Sequence, residues 1–152
     1  GFQSIAKMIS ANEERKINRD VFFIRTGGYD HHQGVKSGLE GRLAGVSDIL
    51  KGFYDEMVSK GLIDKVTVVV ASEFGRTITP NTGAGSDHAW GGNYFIFGGE
   101  VDGGKVLGKY PESFDEDDAT NIGRGRLVPS TSWDAVWYGI AQWFGVTEDE
   151  DL

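Results

Sequence analysis

The feature that most constrains the fold is a long amphipathic helix placed between two stretches of β-forming residues. The helix is predicted from apolar residues that recur every three or four positions between Leu39 and Met57. Asp20–Thr26 (DVFFIRT) precedes it and Val66–Ser72 (VTVVVAS) follows it. Strands with almost no polar face are normally covered on both sides, as in parallel sheets. A crossover of about forty residues suits a βαβ unit, so we predict an α/β fold with a mostly parallel sheet flanked by helices.

Local signals set the ends of the predicted elements. Ser37 and Glu40 have the spacing of a capping box, and Gly61 is typical of a helix end. Helices are also predicted over Phe2–Arg15 and from Trp133, the latter with an N-cap in Ser130–Ser132. The remaining predictions are a glycine-rich loop at Thr77–Gly92, strands at Asn93–Phe97 and Lys105–Leu107, and an irregular acidic segment at Tyr110–Arg126.

Length and composition exclude several classes of protein. The 152 residues suffice for one domain with a hydrophobic core, so residues 1–152 are predicted to form a single domain whose acidic tail, 147–152, frays. The chain has 23 acidic and 15 basic residues, a balance that argues against binding to nucleic acid. The longest apolar run, Val66–Ala71, is too short to cross a bilayer, so no membrane span is predicted. The chain has no cysteine, which excludes disulfides and thiolate ligands.

Acidic and imidazole side chains follow the predicted strands where those strands end. Asp30 and His32 come after the first strand and Glu73 comes after the second, while His88 lies in the glycine-rich loop. Because the carboxyl ends of parallel strands meet at one edge of a sheet, we expect these four side chains to converge. Without thiolates, carboxylate and imidazole groups suit zinc or manganese. The sequence therefore predicts a divalent-metal site formed by Asp30, His32, Glu73 and His88.

Each candidate residue also has an interpretation that involves no metal. His31 is expected to be an ordinary surface histidine. Glu73 could cap a helix or pair with Arg76, and Asp87 could hold His88 in one tautomer or cap a turn. Taken singly, these structural roles are favoured, whereas the joint placement at strand ends favours a metal or anion site. In that site Asp87 and Arg76 are predicted to support the ligands from outside.

A second group of charged residues precedes the last predicted helix. Arg124 and Arg126 lie in a glycine-containing loop next to a helix N-terminus, a combination that can bind a phosphate or sulfate group. They are therefore candidate substrate-binding residues. The simpler alternative is that both arginines neutralise the nearby acidic run Asp115–Asp118.

Four motifs together resemble a large bacterial family, the domain-of-unknown-function family 1501, which is placed in the alkaline phosphatase and sulfatase superfamily. The motifs are Gly27–His32, Ser72–Thr77, Asp87–Gly92 and Gly123–Pro129. The resemblance extends from the first helix to Val146. It implies a partial alkaline-phosphatase-like sandwich that forms the carboxy-terminal part of a longer, exported protein, in the periplasm or outside the cell.

The resemblance also implies roles for individual residues. Asp30 and His32 match the first metal-binding pair of the superfamily. Glu73 stands where the second acid belongs, and His88 matches the last histidine. Phe74 follows Glu73 where a phosphatase has histidine, so one metal ion is expected rather than two. The nucleophile of the superfamily lies in an earlier half, so the catalytic residue is expected outside this chain, and the chain alone is expected to be inactive.

Three hypotheses about function remain open at this point. The first is the metal-binding part of an exported hydrolase that acts on small phosphate or sulfate esters. The second is a non-catalytic exported binding or scaffold protein that retains the fold without the chemistry. The third is a metal-independent intracellular domain in which the histidines are incidental.

Overall fold

The computed structural model describes residues 1–147 of the chain. Its helices are α1 (Phe2–Ser10), α2 (Asn12–Arg15), α3 (Val35–Ser59) and α4 (Trp133–Phe144), with a 3-10 turn at Ile63–Lys65. Its strands are β1 (Thr67–Val70), β2 (Gly75–Arg76), β3 (His88–Ala89) and β4 (Phe95–Gly98). All but the first residue of the predicted acidic tail, 147–152, lies outside the described residues.

The long central helix is present, but its start differs from the prediction. α3 begins at Val35, so Ser37 lies inside the first turn and not at the N-cap. The Ser37 hydroxyl donates a hydrogen bond to the Gly34 carbonyl oxygen at 3.0 Å, and the predicted capping box is therefore wrong. The predicted end is confirmed, because Gly61 adopts a φ of 65° directly after the helix, a conformation that favours glycine.

The first and last helices also follow the predicted pattern. The helix predicted over Phe2–Arg15 is divided at Ala11 into α1 and α2. α4 has Ser132 as its N-cap, and the Ser132 hydroxyl oxygen accepts a hydrogen bond from the Ala135 N–H at 3.2 Å. No helix among residues 1–147 combines the length and the apolar composition needed to cross a membrane.

The hydrophobic core lies between α1 and α3. Ala6, Phe53 and Met57 are buried there, and the Phe2 and Phe53 rings lie 5.1 Å apart. After the end of α3, the half-buried residues that pack against this core are Leu62, Ile63, Val66 and Val68. This packing attaches β1 to the helix pair.

The strands form two short antiparallel sheets. β1 pairs with β4, with Val70 opposite Phe95, and β2 pairs with β3, with Arg76 opposite His88. The combination of helices and strands confirms α/β in the general sense. Every strand pairing within residues 1–147 is antiparallel, however, so these residues do not form the predicted βαβ unit.

Asp20–Thr26 is not a strand within the described part of the chain, contrary to the prediction. The side chains of Val21 and Phe23 are 82% and 88% exposed. The chain exposes 11,040 Å² in total, whereas a compact protein of this length exposes about 7,600 Å². The prediction assumed that an apolar run is covered on both sides. Among the described residues, no helix or strand covers the side of the segment that carries Val21 and Phe23.

The later part of the chain agrees more closely with the sequence. The strand predicted at Asn93–Phe97 corresponds to β4. Lys105–Leu107 is irregular, and its apolar side chains are exposed, so the short strand predicted there is wrong. Tyr110–Arg126 is irregular, as predicted, and contributes one isolated bridge between Asn121 and Leu127.

Candidate metal centre

Three ligand atoms converge beside the short β2–β3 sheet. Asp30 Oδ1 lies 3.1 Å from His32 Nε2 and 3.0 Å from His88 Nε2, and the two Nε2 atoms are 3.2 Å apart. All three residues are exposed to solvent. A tetrahedral zinc ion with bonds of about 2.0–2.1 Å has ligand atoms about 3.3–3.4 Å apart. The donor types and their spacing therefore fit a small divalent cation.

Close backbone packing holds the two parts of this cluster together. The Ser86 N–H donates to the His31 carbonyl oxygen at 3.1 Å, which joins the loop carrying Asp30 to the segment that precedes β3. Gly85 is buried against the backbone of His32, and a Cβ at this glycine would overlap the His32 carbonyl group. Glycine is thus required for the two segments to approach so closely.

Asp87 orients His32 toward the cluster. The Asp87 carboxylate lies 3.0 Å from His32 Nδ1, and in the tautomer that donates from Nδ1 the lone pair of Nε2 is available to a cation. Asp87 also accepts hydrogen bonds from Asn81 Nδ2 at 3.0 Å and from Arg124 Nη2 at 2.6 Å. These bonds from Asn81, His32 and Arg124 hold the pKa of Asp87 well below its usual range. The sequence had suggested that Asp87 could hold His88 in one tautomer. In the structure the histidine that Asp87 contacts is His32.

Arg76 supports the carboxylate side of the cluster. Its Nη1 donates to Asp30 Oδ1 at 2.7 Å, and its other nitrogens donate to the hydroxyl and carbonyl oxygens of Ser86. The hydrogen bond from Arg76, together with the one from His88, lowers the pKa of Asp30 to about 2. Asp30 is therefore ionised at neutral pH and is available as an anionic ligand.

Phe74 supports the second histidine by stacking. Its ring lies 3.9 Å from the His88 ring, with an angle of 21° between the planes. Phe74 stands where a phosphatase is expected to have a histidine, so at this position the chain has a packing residue and not a further ligand. Sequence reasoning did not identify this contact, because stacking across two segments leaves no pattern in the sequence.

Two of the predicted site residues are not brought to the three ligand atoms. Glu73 is exposed and its carboxylate accepts a hydrogen bond from the Ser72 hydroxyl at 3.0 Å. Its own backbone and the Ser72 hydroxyl lower the pKa of Glu73. Arg126 donates to the carbonyl oxygens of Gly123 and Ile122, at 2.9 and 3.1 Å.

Of the two arginines in this loop, Arg124 is the one that contacts a residue supporting the cluster, whereas within residues 1–147 Arg126 bonds only to its own loop. The Arg124 guanidinium forms an ion pair with Oδ2 of Asp87, whereas His32 Nδ1 contacts Oδ1 of the same carboxylate. Among the described residues neither Arg124 nor Arg126 forms an ion pair with the acidic run Asp115–Asp118. Neutralisation of that run by direct pairing, the simpler alternative for both arginines, is therefore not seen there.

Asn81 is a supporting residue that sequence reasoning missed. Its amide donates to the His32 carbonyl oxygen and to Asp87, both at 3.0 Å. Its Oδ1 accepts from the N–H groups of Gly83 and Gly85 at 2.9 and 3.0 Å. An asparagine two and four positions before glycines is typical of a turn closed by a side chain, and this spacing was the available signal.

Comparison with known proteins agrees with the family resemblance. The profile of one family, described as "Protein of unknown function (DUF1501)", matches residues 6–123, which is more than half of the chain. Asp30, His32 and His88 lie within the matched region, while the motif Gly123–Pro129 lies almost entirely beyond it. Neither the curated proteins nor the solved structures gave a match. The chain therefore belongs to the DUF1501 family.

Proposed function

We propose that this chain provides a divalent-metal centre of a hydrolase that acts on phosphate or sulfate esters. The observation that carries the proposal is the convergence of one carboxylate oxygen and two imidazole nitrogens, all within 3.2 Å of one another. Zinc and manganese accept this set of donors. Three protein ligands leave a coordination position for water or a substrate oxygen, as in catalytic zinc sites.

The residues of the chain prepare the site for such an ion. Asp87 contacts Nδ1 of His32 and so leaves its Nε2 available to the ion, and Arg76 holds the Asp30 carboxylate in place by a hydrogen bond. When bound, the ion would polarise an ester oxygen or lower the pKa of a water molecule. The nucleophile is proposed to lie outside this chain, so the chain alone is expected to bind metal without turnover.

The wider context is part of the same proposal. A link to the alkaline phosphatase and sulfatase superfamily, and export to the periplasm or beyond, rest on the resemblance of the four motifs. We infer that the chain is the carboxy-terminal part of a sandwich whose mostly parallel sheet includes Asp20–Thr26. The exposed Val21 and Phe23 support this inference, because helices packed on the face of such a sheet would cover them.

Metal uptake by the chain tests the proposal. The protein is stripped with a chelator, desalted, and titrated with Zn²⁺ and with Mn²⁺ by isothermal calorimetry, and bound metal is counted by elemental analysis. We expect one ion per chain. A crystal grown with zinc should give an anomalous peak about 2.0–2.2 Å from Asp30, His32 and His88. The absence of a stoichiometric ion would overturn the proposal.

A non-catalytic exported binding or scaffold protein is the second candidate. It is favoured by Phe74, which occupies the position of an expected histidine ligand and packs against His88. The longer protein that we propose to contain this chain is assayed with aryl phosphates and aryl sulfates in the presence of Zn²⁺ or Mn²⁺. Turnover that disappears in His88→Ala would eliminate this candidate, whereas stoichiometric metal without turnover would support it.

Glu73 is the predicted ligand that the structure leaves apart, and its contribution can be measured. Because its carboxylate is bonded to Ser72 and not to the cluster, Glu73→Gln is expected to weaken zinc binding by no more than about threefold, less than 1 kcal/mol. The measurement is the calorimetric Kd of the variant and of the wild type. A loss of tenfold or more would instead assign Glu73 as the fourth ligand.

A further inference from the structure

Two loops beside the metal centre have the same local construction. Asn81–Gly85 and Asn121–Gly125 both follow the pattern Asn-Xaa-Gly-Xaa-Gly. In each loop the asparagine Oδ1 accepts hydrogen bonds from the N–H groups of both glycines, at 2.9 and 3.0 Å in the first and at 3.0 and 3.2 Å in the second. In each loop the residue between the glycines has a positive φ, 55° at Ala84 and 59° at Arg124.

The backbone conformation of Arg124 is unfavourable for a residue with a side chain. Glycine or asparagine is usual at such a φ, and among the described residues only Lys16, at the end of α2, and Ala84 share it without being glycine. The loop is fixed by the buried Asn121, whose amide also donates to the carbonyl oxygens of Phe114 and Asp115. The result is that the Arg124 guanidinium is held beside Asp87.

A cleft of about 490 Å³ lies between the first loop, Arg124 and His32. Its lining consists of His32, Gln33, Pro80–Gly83, Asp87 and Arg124. Pro80 is the only lining residue with a purely hydrocarbon side chain among those described, and none of them is a phenylalanine, tyrosine or tryptophan. The cleft is open to solvent and offers mainly charge, amide and hydroxyl groups to a ligand, with a smaller share of apolar surface.

We propose that this cleft binds the phosphate or sulfate group of a small hydroxylated ester, such as a sugar ester, with Arg124 as the anion-binding residue. An arginine has five N–H donors, and the bond to Asp87 uses one of those on Nη2. No described residue accepts a hydrogen bond from Nε or Nη1 of Arg124. A tetrahedral oxyanion accepts two parallel bonds from a guanidinium, here from the second hydrogen on Nη2 together with Nε or Nη1. Gln33 and Thr82 can hydrogen-bond to sugar hydroxyls.

This inference rests on the proposed function where it places the anion beside a metal ion. His32 is both a lining residue of the cleft and one of the three residues of the cluster. A ligand bound through Arg124 would therefore lie next to the ligand cluster. The absence of aromatic side chains favours a polar alcohol over an aryl group as the remainder of the ester.

Binding of defined esters tests the inference. Glucose 6-phosphate, phenyl phosphate and glucose are titrated by calorimetry into the chain, first stripped of metal and then loaded with Zn²⁺. Glucose 6-phosphate is expected to bind more tightly than either of the other two. Equal or tighter binding of phenyl phosphate would overturn the inferred ligand class.

Variants at Arg124 separate a binding role from a structural one. Arg124→Gly relieves the unfavourable φ, so its melting temperature is expected to equal or exceed that of the wild type. Its affinity for glucose 6-phosphate is expected to fall roughly tenfold. Lys105→Asn, which removes one positive charge from an exposed residue that does not line the cleft, should leave that affinity unchanged. Wild-type affinity in Arg124→Gly would overturn the assignment.

The two proposals fail in different ways. Zinc uptake without Arg124-dependent ester binding overturns the inference about the cleft and leaves the metal centre standing. Arg124-dependent ester binding without zinc uptake supports the cleft as an oxyanion site and overturns the metal centre.

Discussion

Replacing His88 by alanine is expected to abolish stoichiometric binding of zinc or manganese. His88 Nε2 is one of three converging donors, 3.0 Å from Asp30 Oδ1 and 3.2 Å from His32 Nε2, and its loss leaves two. Loss of an outer support typically costs 10–100-fold in metal affinity, so loss of a direct ligand is expected to cost about 100-fold or more. Calorimetry and elemental analysis on the purified variant measure this effect, and His32→Ala should behave in the same way.

His31 provides the matched control for both variants. It is the remaining histidine, it precedes His32 in the chain, and it does not belong to the cluster. Its half-buried ring packs against Gly38 of α3, so it is not the ordinary surface histidine that was predicted. His31→Ala removes the same chemical group and is expected to keep the metal affinity within about threefold, less than 1 kcal/mol. Equal losses in all three variants would show that the ion is bound nonspecifically by histidines, and the metal centre would then be wrong.

Replacing Gly85 by alanine is expected to disrupt the metal centre although Gly85 is not a ligand. Gly85 is buried, and a Cβ there would overlap the carbonyl carbon and oxygen of His32. Both atoms belong to the backbone and cannot turn aside as a flexible side chain could. The segment that contains His32 and the segment that contains Gly85 must therefore move apart. We expect the free energy of unfolding to fall by about 2–3 kcal/mol and zinc affinity to fall tenfold or more. Urea unfolding and calorimetry measure the two effects.

Gly41→Ala is the control for this change, because it adds the same methyl group on α3. Nothing lies within 4 Å of a Cβ at Gly41, and alanine is the better helix former by up to about 1 kcal/mol. Stability is therefore expected to stay level or rise, with metal affinity unchanged. Native zinc affinity in Gly85→Ala would contradict the close approach on which the geometry of the centre depends.

The helices were predictable because their signals are local. The apolar spacing of α3, the glycine after its end and the serine before α4 all act within a few residues of the chain. The β-forming residues of Asp20–Thr26 are also a strong local signal, yet this segment is not a strand in the described part of the chain. A strand depends on neighbouring strands and on cover from both sides, and composition alone does not show whether these are present.

The candidate site was predicted on a different scaffold from the one observed. Asp30, His32 and His88 come together, but through an antiparallel hairpin and close backbone packing and not at the edge of a parallel sheet. Glu73 follows β1 as predicted, yet its side chain bonds to Ser72. The donor types were visible in the sequence, whereas the direction of each side chain depends on turns that were not.

Local chemistry was thus enough to identify the helical segments and the residues able to bind a cation, because helix periodicity, end signals and ligand type reside in neighbouring side chains. Contacts over long separations decided the rest. His32 and His88 stand 56 positions apart and Arg124 lies 37 positions from Asp87, so their meeting depends on how glycine-rich loops pack together. The three-dimensional structure alone shows that His32 is the partner of Asp87, that Phe74 stacks on His88, and that an open cleft is lined by His32, Asp87 and Arg124.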